Sequence, residues 1–537
     1  DLSDTLSSLR NGMPGRLLPR RGGSDGGPNN TVLAYEPGPE DIIDFGIEDR
    51  FEVTERYWTK EPYSFIAIVY DDEDAEHHYH VVEPDLTPFE HRLLELLIED
   101  LRDVLIYADR DWEDDDDGTE RVFQEAMLDL LRDYGIDVSP ETFYRVYYYI
   151  WRTYIGYGKL DPIMRDPRIE DVSCDGYDIP VYIYHEDYQN IRSNVTYDEA
   201  ELDSFVIRLA QESGKNISLE KPYVSGTLED GSRIELTFGE EVTQHGSTFT
   251  IRKFAEDPMT PIELVNYGTF SIEQMAYLWL AIENNKSLIF AGGTASGKTT
   301  SMNAVSMFLP SQAKVVSIED TPEINLHHEN WVPSVTREGP GIESEIDMYT
   351  LLRSALRQRP EYIIVGEVRG EEALTLFQAM NTGHTTYSTL HAESVDTVIR
   401  RLENPPINVP RVMIGALDIV SVQILTRIDE NRVRRTNALV EIAGIDDRTG
   451  DINFIELFDW DPKTDDFKQT GNSDILRTIA QERGSSMAEI RAELRRREAI
   501  LRHLQAEEVT GYREFTRTVH EYYAAPDRVL GRVEGLA

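Results

Sequence analysis

The segment Leu288–Met302, "LIFAGGTASGKTTSM", constrains this chain more than any other. An apolar run breaks into glycines and then into a lysine and two threonines, with the spacing Gly292-x-x-x-x-Gly297-Lys298-Thr299. A strand, a glycine-rich turn and a helix in that order make a cradle whose backbone N–H groups face phosphate oxygens. Gly292, Gly293, Thr294, Ala295, Ser296 and Gly297 form the cradle. Lys298 supplies charge near the β and γ phosphates, Thr299 a hydroxyl for Mg²⁺, and Thr300 the next position of the helix. That helix, "KTTSMNAVSMF", points the positive end of its dipole at the same phosphates. ATP and Mg²⁺ are the expected cofactors. Short apolar runs, "SLIFAGG", "KVVSIED", "YIIVGE" and "TTYSTLHA", alternate with helical stretches. The alternation predicts an α/β fold with a mostly parallel sheet between flanking helices.

Two further runs end in acid at the carboxyl end of a strand. "RPEYIIVGEVRGEEA" carries Glu367 just beyond the apolar Tyr362–Val365, where a carboxylate beside a phosphate loop meets a metal-bound or attacking water. Glu367 is therefore expected, with Thr299, at the metal. "VVSIEDTPEINLHH" ends in Glu319, Asp320 and Glu323. In the next strand-like run, His384 and His391 stand seven residues apart, one at each end, so they are expected to do different jobs.

Composition bounds the rest. The 537 residues are enough for three or four folded units. The net charge is −46, from 99 acidic and 53 basic residues of which 10 are lysine. So acidic and lysine-poor a surface stays hydrated in concentrated salt, which points to a halophilic source. It also argues against nucleic acid as a partner, most strongly at low salt. The single cysteine, Cys174, excludes internal disulfides and a multi-cysteine zinc site, suits a reducing cytoplasm, and reads as a buried apolar thiol. No segment has the apolar length of a signal peptide or a membrane span, so a cytoplasmic protein docked at the inner face of the membrane is expected.

Along the chain, residues 1–35 read as a flexible tail. Residues 36–137 form an N-terminal α+β domain without chemical motifs, expected to read partners. In it "YSFIAIVYDDEDAEHHYHVVEP" gives two strands around an acidic turn, and "PFEHRLLELLIEDLRDVLIYAD" an amphipathic helix. "DWEDDDDGTE" reads as a solvated loop, and His77, His78 and His80 as exposed histidines at a strand end rather than metal ligands. A smaller α+β domain spans 138–255, a linker 256–268, the nucleotide domain 269–450, and a strand and helix extension 451–537.

Taken together, "GGTASGKTT", "SIEDTPE", "RPEYIIVGEVRGEE" and "TGHTTYSTLHAES" resemble, in order and spacing, the Walker A, aspartate, Walker B and histidine boxes of the type II/type IV secretion ATPase superfamily. The resemblance extends upstream through "GYGKLDPIMRDPRIEDVSCDG" and "STFTIRKF", covering about 155–440. It implies a homo-hexameric ATPase in which a small PAS-like domain precedes a RecA-like domain, with nucleotide between them. By the same resemblance Glu323 matches the catalytic glutamate, Glu367 the Walker-B glutamate, and His384 and His391 the histidine pair. Arg233 in "DGSR" and Arg252 in "TIRK" match arginines that reach the phosphates. A guanidinium fork suits that role because it grips phosphate oxygens in pairs as charge builds. The missing four-cysteine module departs from many bacterial members and is similar to the archaeal branch. That branch implies an archaellum motor and assembly ATPase, or a pilus or secretion ATPase, acting on an integral membrane platform protein with accessory cytoplasmic motor proteins. Two rivals stay open on the residues alone: a nucleic-acid translocase, which needs basic or aromatic pore loops, and a nucleotide-dependent scaffold that hydrolyses little.

Overall fold

The computed structural model describes residues 32–33, 35–48, 50–108, 116–254, 257–337, 346–428, 431–446 and 448–534. The expected tail therefore lies almost wholly outside the described residues, as does 111–115 of the acidic block. The rest of that block is helical, because the helix Asp116–Asp133 begins within it. The chain divides into two compact units, Asp1–Phe254 and Ala255–Ala537.

The first unit is built on β1 (Phe51–Lys60), β2 (Ser64–Asp71), β3 (Glu76–Val82), β4 (Ile169–Cys174), β5 (Tyr182–His185), β6 (Gln189–Ser193), β7 (Tyr223–Thr227), β8 (Arg233–Thr237) and β9 (Thr248–Arg252). They form one sheet in the order β1-β2-β3-β6-β5-β4-β9-β8-β7. All neighbours are antiparallel except β3 and β6, which pair in parallel at His78↔Arg192 and Tyr79↔Ser193. That short pairing carries the sheet across from the strands before residue 137 to those after it. β2 is covered on both faces: Ile66 and Ile68 face one cluster, Phe65, Ala67 and Val69 another. A third core lies among the helices Pro88–Ala108, Asp116–Asp133 and Pro140–Tyr154, with Leu93, Leu97, Phe143, Tyr147 and Ile150 at helical spacing. Ser139 starts the last of these by accepting from the Thr142 N–H, with Pro140 in the first turn. Cys174 is buried as expected, and burial raises its thiol to about 11.

The second unit holds β10 (Leu288–Gly292), β11 (Val315–Glu319), β12 (Trp331–Val335), β13 (Tyr362–Val365), β14 (Thr385–Leu390), β15 (Ile419–Ile428), β16 (Asn431–Ile445), β17 (Ile452–Asp461) and β18 (Asp466–Gln469). Their order is β12-β11-β13-β14-β10-β15-β16-β17-β18. Pairing is parallel from β12 through β15 and antiparallel beyond. β10, β11, β13 and β14 are buried along their whole length, which is why they read as continuous apolar or small-residue runs rather than alternating ones. Leu288, Phe290, Tyr362 and Ile364 pack into the core on one face, and Ile289, Ala291, Ile363 and Val365 into the core on the other.

One stretch differs from its sequence reading. Within 256–268 the chain is not open linker: Thr260 and Glu263 make a reciprocal capping box that starts the helix Pro261–Asn266, and Ile262 and Leu264 are buried. Within 451–537, β17 and β18 continue the nucleotide-domain sheet, and the helices Met487–Ala506 and Tyr512–Ala524 close its core through Ile500, Leu501, Phe515 and Val519. Among the described residues no helix is long and apolar enough to cross a membrane.

Candidate active site

Because β10, β11, β13 and β14 run parallel, their carboxyl ends meet at one edge of the sheet. The turn after β10 is held open by unusual backbone: Ala295 has φ 58° and Gly297 φ 85°, both left-handed. Gly292 has no room for a side chain, since a Cβ there would lie 2.4 Å from the Gln423 carbonyl oxygen and from Ser296 Oγ. Lys298 opens the helix Lys298–Ser306, is 8% exposed, and donates from Nζ to the Gly293 carbonyl oxygen at 2.7 Å. Ser296 Oγ donates to the same carbonyl at 2.9 Å. Thr299 and Thr300 follow in the first turn, half-buried. Thr294 and Ala295 are exposed on the loop, while Gly293 and Gly297 are half-buried.

Beside this loop, Glu367 stands just past β13. Its Oε1 is 3.3 Å from His391 Nε2, and its Oε2 accepts from Arg369 Nη2 at 2.5 Å. Burial pushes the Glu367 carboxyl up, but Arg369, His391 and Lys298 together outweigh it and hold the group below the usual carboxylate range. His391 is pushed down by burial and then by the Lys298 charge, against the pull of Glu367. The backbone here is stitched to the neighbouring strand: Thr389 Oγ1 donates to the Gly366 carbonyl at 2.7 Å, and the Val368 N–H to the Thr389 carbonyl at 3.0 Å.

The acid at the end of β11 divides into different tasks. Glu319 is 3% exposed, and its Oε1 accepts the backbone N–H groups of Glu323 at 2.9 Å and Ile324 at 3.0 Å. It thus shapes the loop that carries the half-buried Glu323. Asp320 accepts from Thr336 Oγ1 and lies 3.9 Å from Arg369 Nη1.

The structure separates the two histidines of β14. His391 follows its carboxyl end beside Glu367, whereas His384 precedes its amino end, at the opposite edge of the sheet, with Nδ1 3.4 Å from Thr382 Oγ1. Arg233 and Arg252 belong to the first unit, where β8 and β9 set them directly opposite one another in register. Asp171 pairs with Arg252 from the other side, and burial raises its carboxyl against the pull of that arginine. Two guanidinium groups on paired positions repel unless anionic groups lie between or beside them.

Sequence reading missed several groups. Arg369 lies within "RPEYIIVGEVRGEE", where nothing in the local pattern gives it a role. Arg434, on β16, donates from Nε to the Ala295 carbonyl at 3.0 Å, and no local pattern announces a contact 139 residues away. Arg401 donates to the His391 carbonyl oxygen. The histidines near the first hairpin also differ from expectation. His78 is buried against Asp74 at 3.0 Å, and His80 packs on Phe51 at 4.6 Å, where burial lowers it to about 4. The metal reading set aside from sequence has this much in its favour: Asp71, Asp74 and His78 each offer a donor within 4.8 Å of the others.

Residues 227–515 match the family model described as Type II/IV secretion system protein. The chain belongs to that family. A PilB3-like N-terminal model also matches residues 26–85. Over 413 residues this secretion-family chain is 38% identical to an uncharacterized protein of Methanocaldococcus jannaschii, covering 75% of each. A second uncharacterized protein of that organism is 48% identical over 263 residues, 49% of this chain and 97% of the relative. Among solved structures, the Legionella pneumophila ATPase DotB shares 18% identity over 67% of this chain and 94% of its own, with a TM-score of 0.40, too loose to add to the assignment. As a member of the secretion family the chain is an ATPase that binds ATP.

Proposed function

We propose that this protein is a Mg²⁺-dependent mechanical ATPase that works as a homo-hexamer at the inner face of the membrane and drives an archaeal type IV pilus-like filament through an integral membrane platform protein. The observation that carries the reading is the convergence on one sheet edge of the phosphate loop, the Glu319–Glu323 loop and an ionised Glu367 flanked by Arg369 and His391. In this scheme Lys298 neutralises phosphate charge, Glu323 polarises the attacking water, and Glu367 is held ionised to orient it or the metal. Mg²⁺ would be held by oxygen donors, the Thr299 hydroxyl and the Glu367 carboxylate, which is the donor set a hard cation takes. It would neutralise charge on the β and γ oxygens.

Arg233 and Arg252 grip phosphate oxygens, a role that suits two guanidinium-bearing residues at paired positions on β8 and β9. His391 senses the state of the phosphates through Glu367, while His384, at the other sheet edge, acts only at a distance. The PilB3-like match over 26–85 supports pilus assembly over an archaellum motor. Accessory motor proteins belong to the archaellum reading. The acidic, lysine-poor composition supports a halophilic cytoplasm and gives a nucleic-acid translocase little to work with.

The test uses a deletion strain complemented with wild type or Lys298→Ala. Loss of surface adhesion with motility intact is the expected phenotype, restored by wild type alone. Loss of motility with adhesion intact would move the assignment to the archaellum, and ATP turnover stimulated by nucleic acid at high salt would overturn both.

A further inference from the structure

Away from the phosphate loop, the second unit carries a cavity of about 390 Å³ lined by His327, Arg513, Glu514, Arg517 and His520. A small chamber of about 10 Å³ adjoins it, sharing His327 and His520 and reaching Thr516. Four of the lining side chains come from one helix, Tyr512–Ala524, and three of them, at positions 513, 517 and 520, have a spacing that puts them on one face. His327 comes from the loop that follows Glu323.

Three features set this cavity apart from a surface dimple. In a chain of net charge −46, it gathers two guanidinium and two imidazole groups against one carboxylate. Glu514 comes no nearer than 4.0 Å to Arg517, while Arg513 donates from Nε to Tyr512 Oη at 3.0 Å, lies over the Tyr512 ring and feels the charge of Asp257 as well. Placing like charges one helical turn apart costs stability unless an anion is shared between them. The hydroxyl of Thr516, 3% exposed, points to the same need: its Oγ1 is buried without a hydrogen-bond partner, and it lines the chamber at the back of the cavity. The walls are also fixed. His520 Nε2 donates to the Leu309 carbonyl at 3.2 Å, and His328, which lines the adjoining chamber, donates from Nε2 to the Ala313 carbonyl at 2.6 Å, so each is anchored by one nitrogen.

We propose that this cavity is a second anion site that binds a small phosphorylated molecule, with Arg513 and Arg517 gripping phosphoryl oxygens and Thr516 supplying a hydroxyl at the back. Guanidinium forks match phosphate oxygens in pairs, and a volume near 390 Å³ suits a small ligand rather than a polymer. The adjoining chamber is walled by Ser306 and Met307, at the carboxyl end of the helix that Lys298 begins, and by the loop after Glu323. The ligand would therefore stand outside the nucleotide site yet against two of the elements that build it.

The test is calorimetric titration of inorganic pyrophosphate into the full chain carrying Lys298→Ala, which disables the phosphate loop, in about 1 M KCl so that diffuse attraction is screened. One saturable site is expected, weakened at least tenfold by adding R513Q and R517Q, measurably weakened by T516V, and unchanged by R491Q with R495Q, an exposed pair on the preceding helix. Circular dichroism confirms the fold of each variant. No saturable binding in the Lys298→Ala chain, binding indifferent to R513Q and R517Q, or an equal loss with the control pair overturns the proposal. So does an acidic peptide that binds as tightly as pyrophosphate, since it would make the cavity a protein-docking patch.

Discussion

Removing the Glu319 carboxylate separates a structural task from a chemical one. Oε1 of this 3% exposed side chain accepts two backbone N–H groups, from Glu323 and from the buried Ile324. A hydrogen bond to a charged acceptor contributes about 1.5–3 kcal/mol, and a buried donor left without a partner costs its full desolvation. Because Ile324 is 3% exposed, water cannot easily replace the lost acceptor there. Glu319→Ala should therefore cost roughly 3–4 kcal/mol and release the loop that places Glu323. Glu319→Gln keeps one carbonyl oxygen that can accept both donors, and should cost about 1 kcal/mol, the difference between charged and neutral acceptors. Urea unfolding of the full chain at fixed KCl gives the stabilities, and steady-state ATP turnover gives the activity. The expected pattern is that the alanine variant loses most turnover together with stability, while the glutamine variant keeps much of both. The reasoning fails if the two variants are equally stable within 1 kcal/mol of wild type. It also fails if Glu319→Gln abolishes turnover without destabilising the fold, for then the carboxylate itself does chemistry.

Two more expectations follow from the titrating groups. Burial alone would raise Glu367, and Arg369 contributes most to holding it down, so Arg369→Ala should move the acid limb of the pH–turnover profile to higher pH. The sign is the usual one for a depressed carboxyl: its ionised form favours the native site above the unfolded pKa, and that advantage fades as pH falls through the folded value. A profile that stays put, or moves to lower pH, would show that Glu367 does not set the limb. Cys174, with its buried thiol at about 11, should be inert to a thiol-reactive dye in the native chain and react once per chain in denaturant. Stoichiometric labelling of native protein within minutes would contradict its burial.

How much of the site was legible depended on how local its chemistry is. The turn between β10 and the helix that Lys298 begins was visible because a few glycines specify its backbone geometry. The four buried strands were visible because a parallel strand covered on both faces must be a short run without exposed polar positions. What each carboxylate does was not visible. Glu319, Asp320 and Glu323 read alike as a burst of acid, yet Glu319 spends its oxygen on backbone while Asp320 meets a threonine and an arginine. The linker reading missed the Pro261–Asn266 helix because six residues are too few to show periodicity, although the Thr260–Glu263 box marked its start.

By itself, then, the sequence determined an α/β unit with a mostly parallel sheet and a glycine-rich turn between β10 and the helix that Lys298 begins. Only tertiary structure decided which groups meet. The order β11-β13-β14-β10 puts Glu367 beside the histidine that follows β14 and leaves His384 at the far edge. The antiparallel return of β16 brings Arg434 onto the phosphate loop. The pairing of β3 with β6 joins strands more than a hundred residues apart into one sheet. The physical reason is the same in each case. Local patterns report which face of a segment is buried, whereas strand order is fixed by packing the whole core, and only strand order places the end of one strand against the end of another.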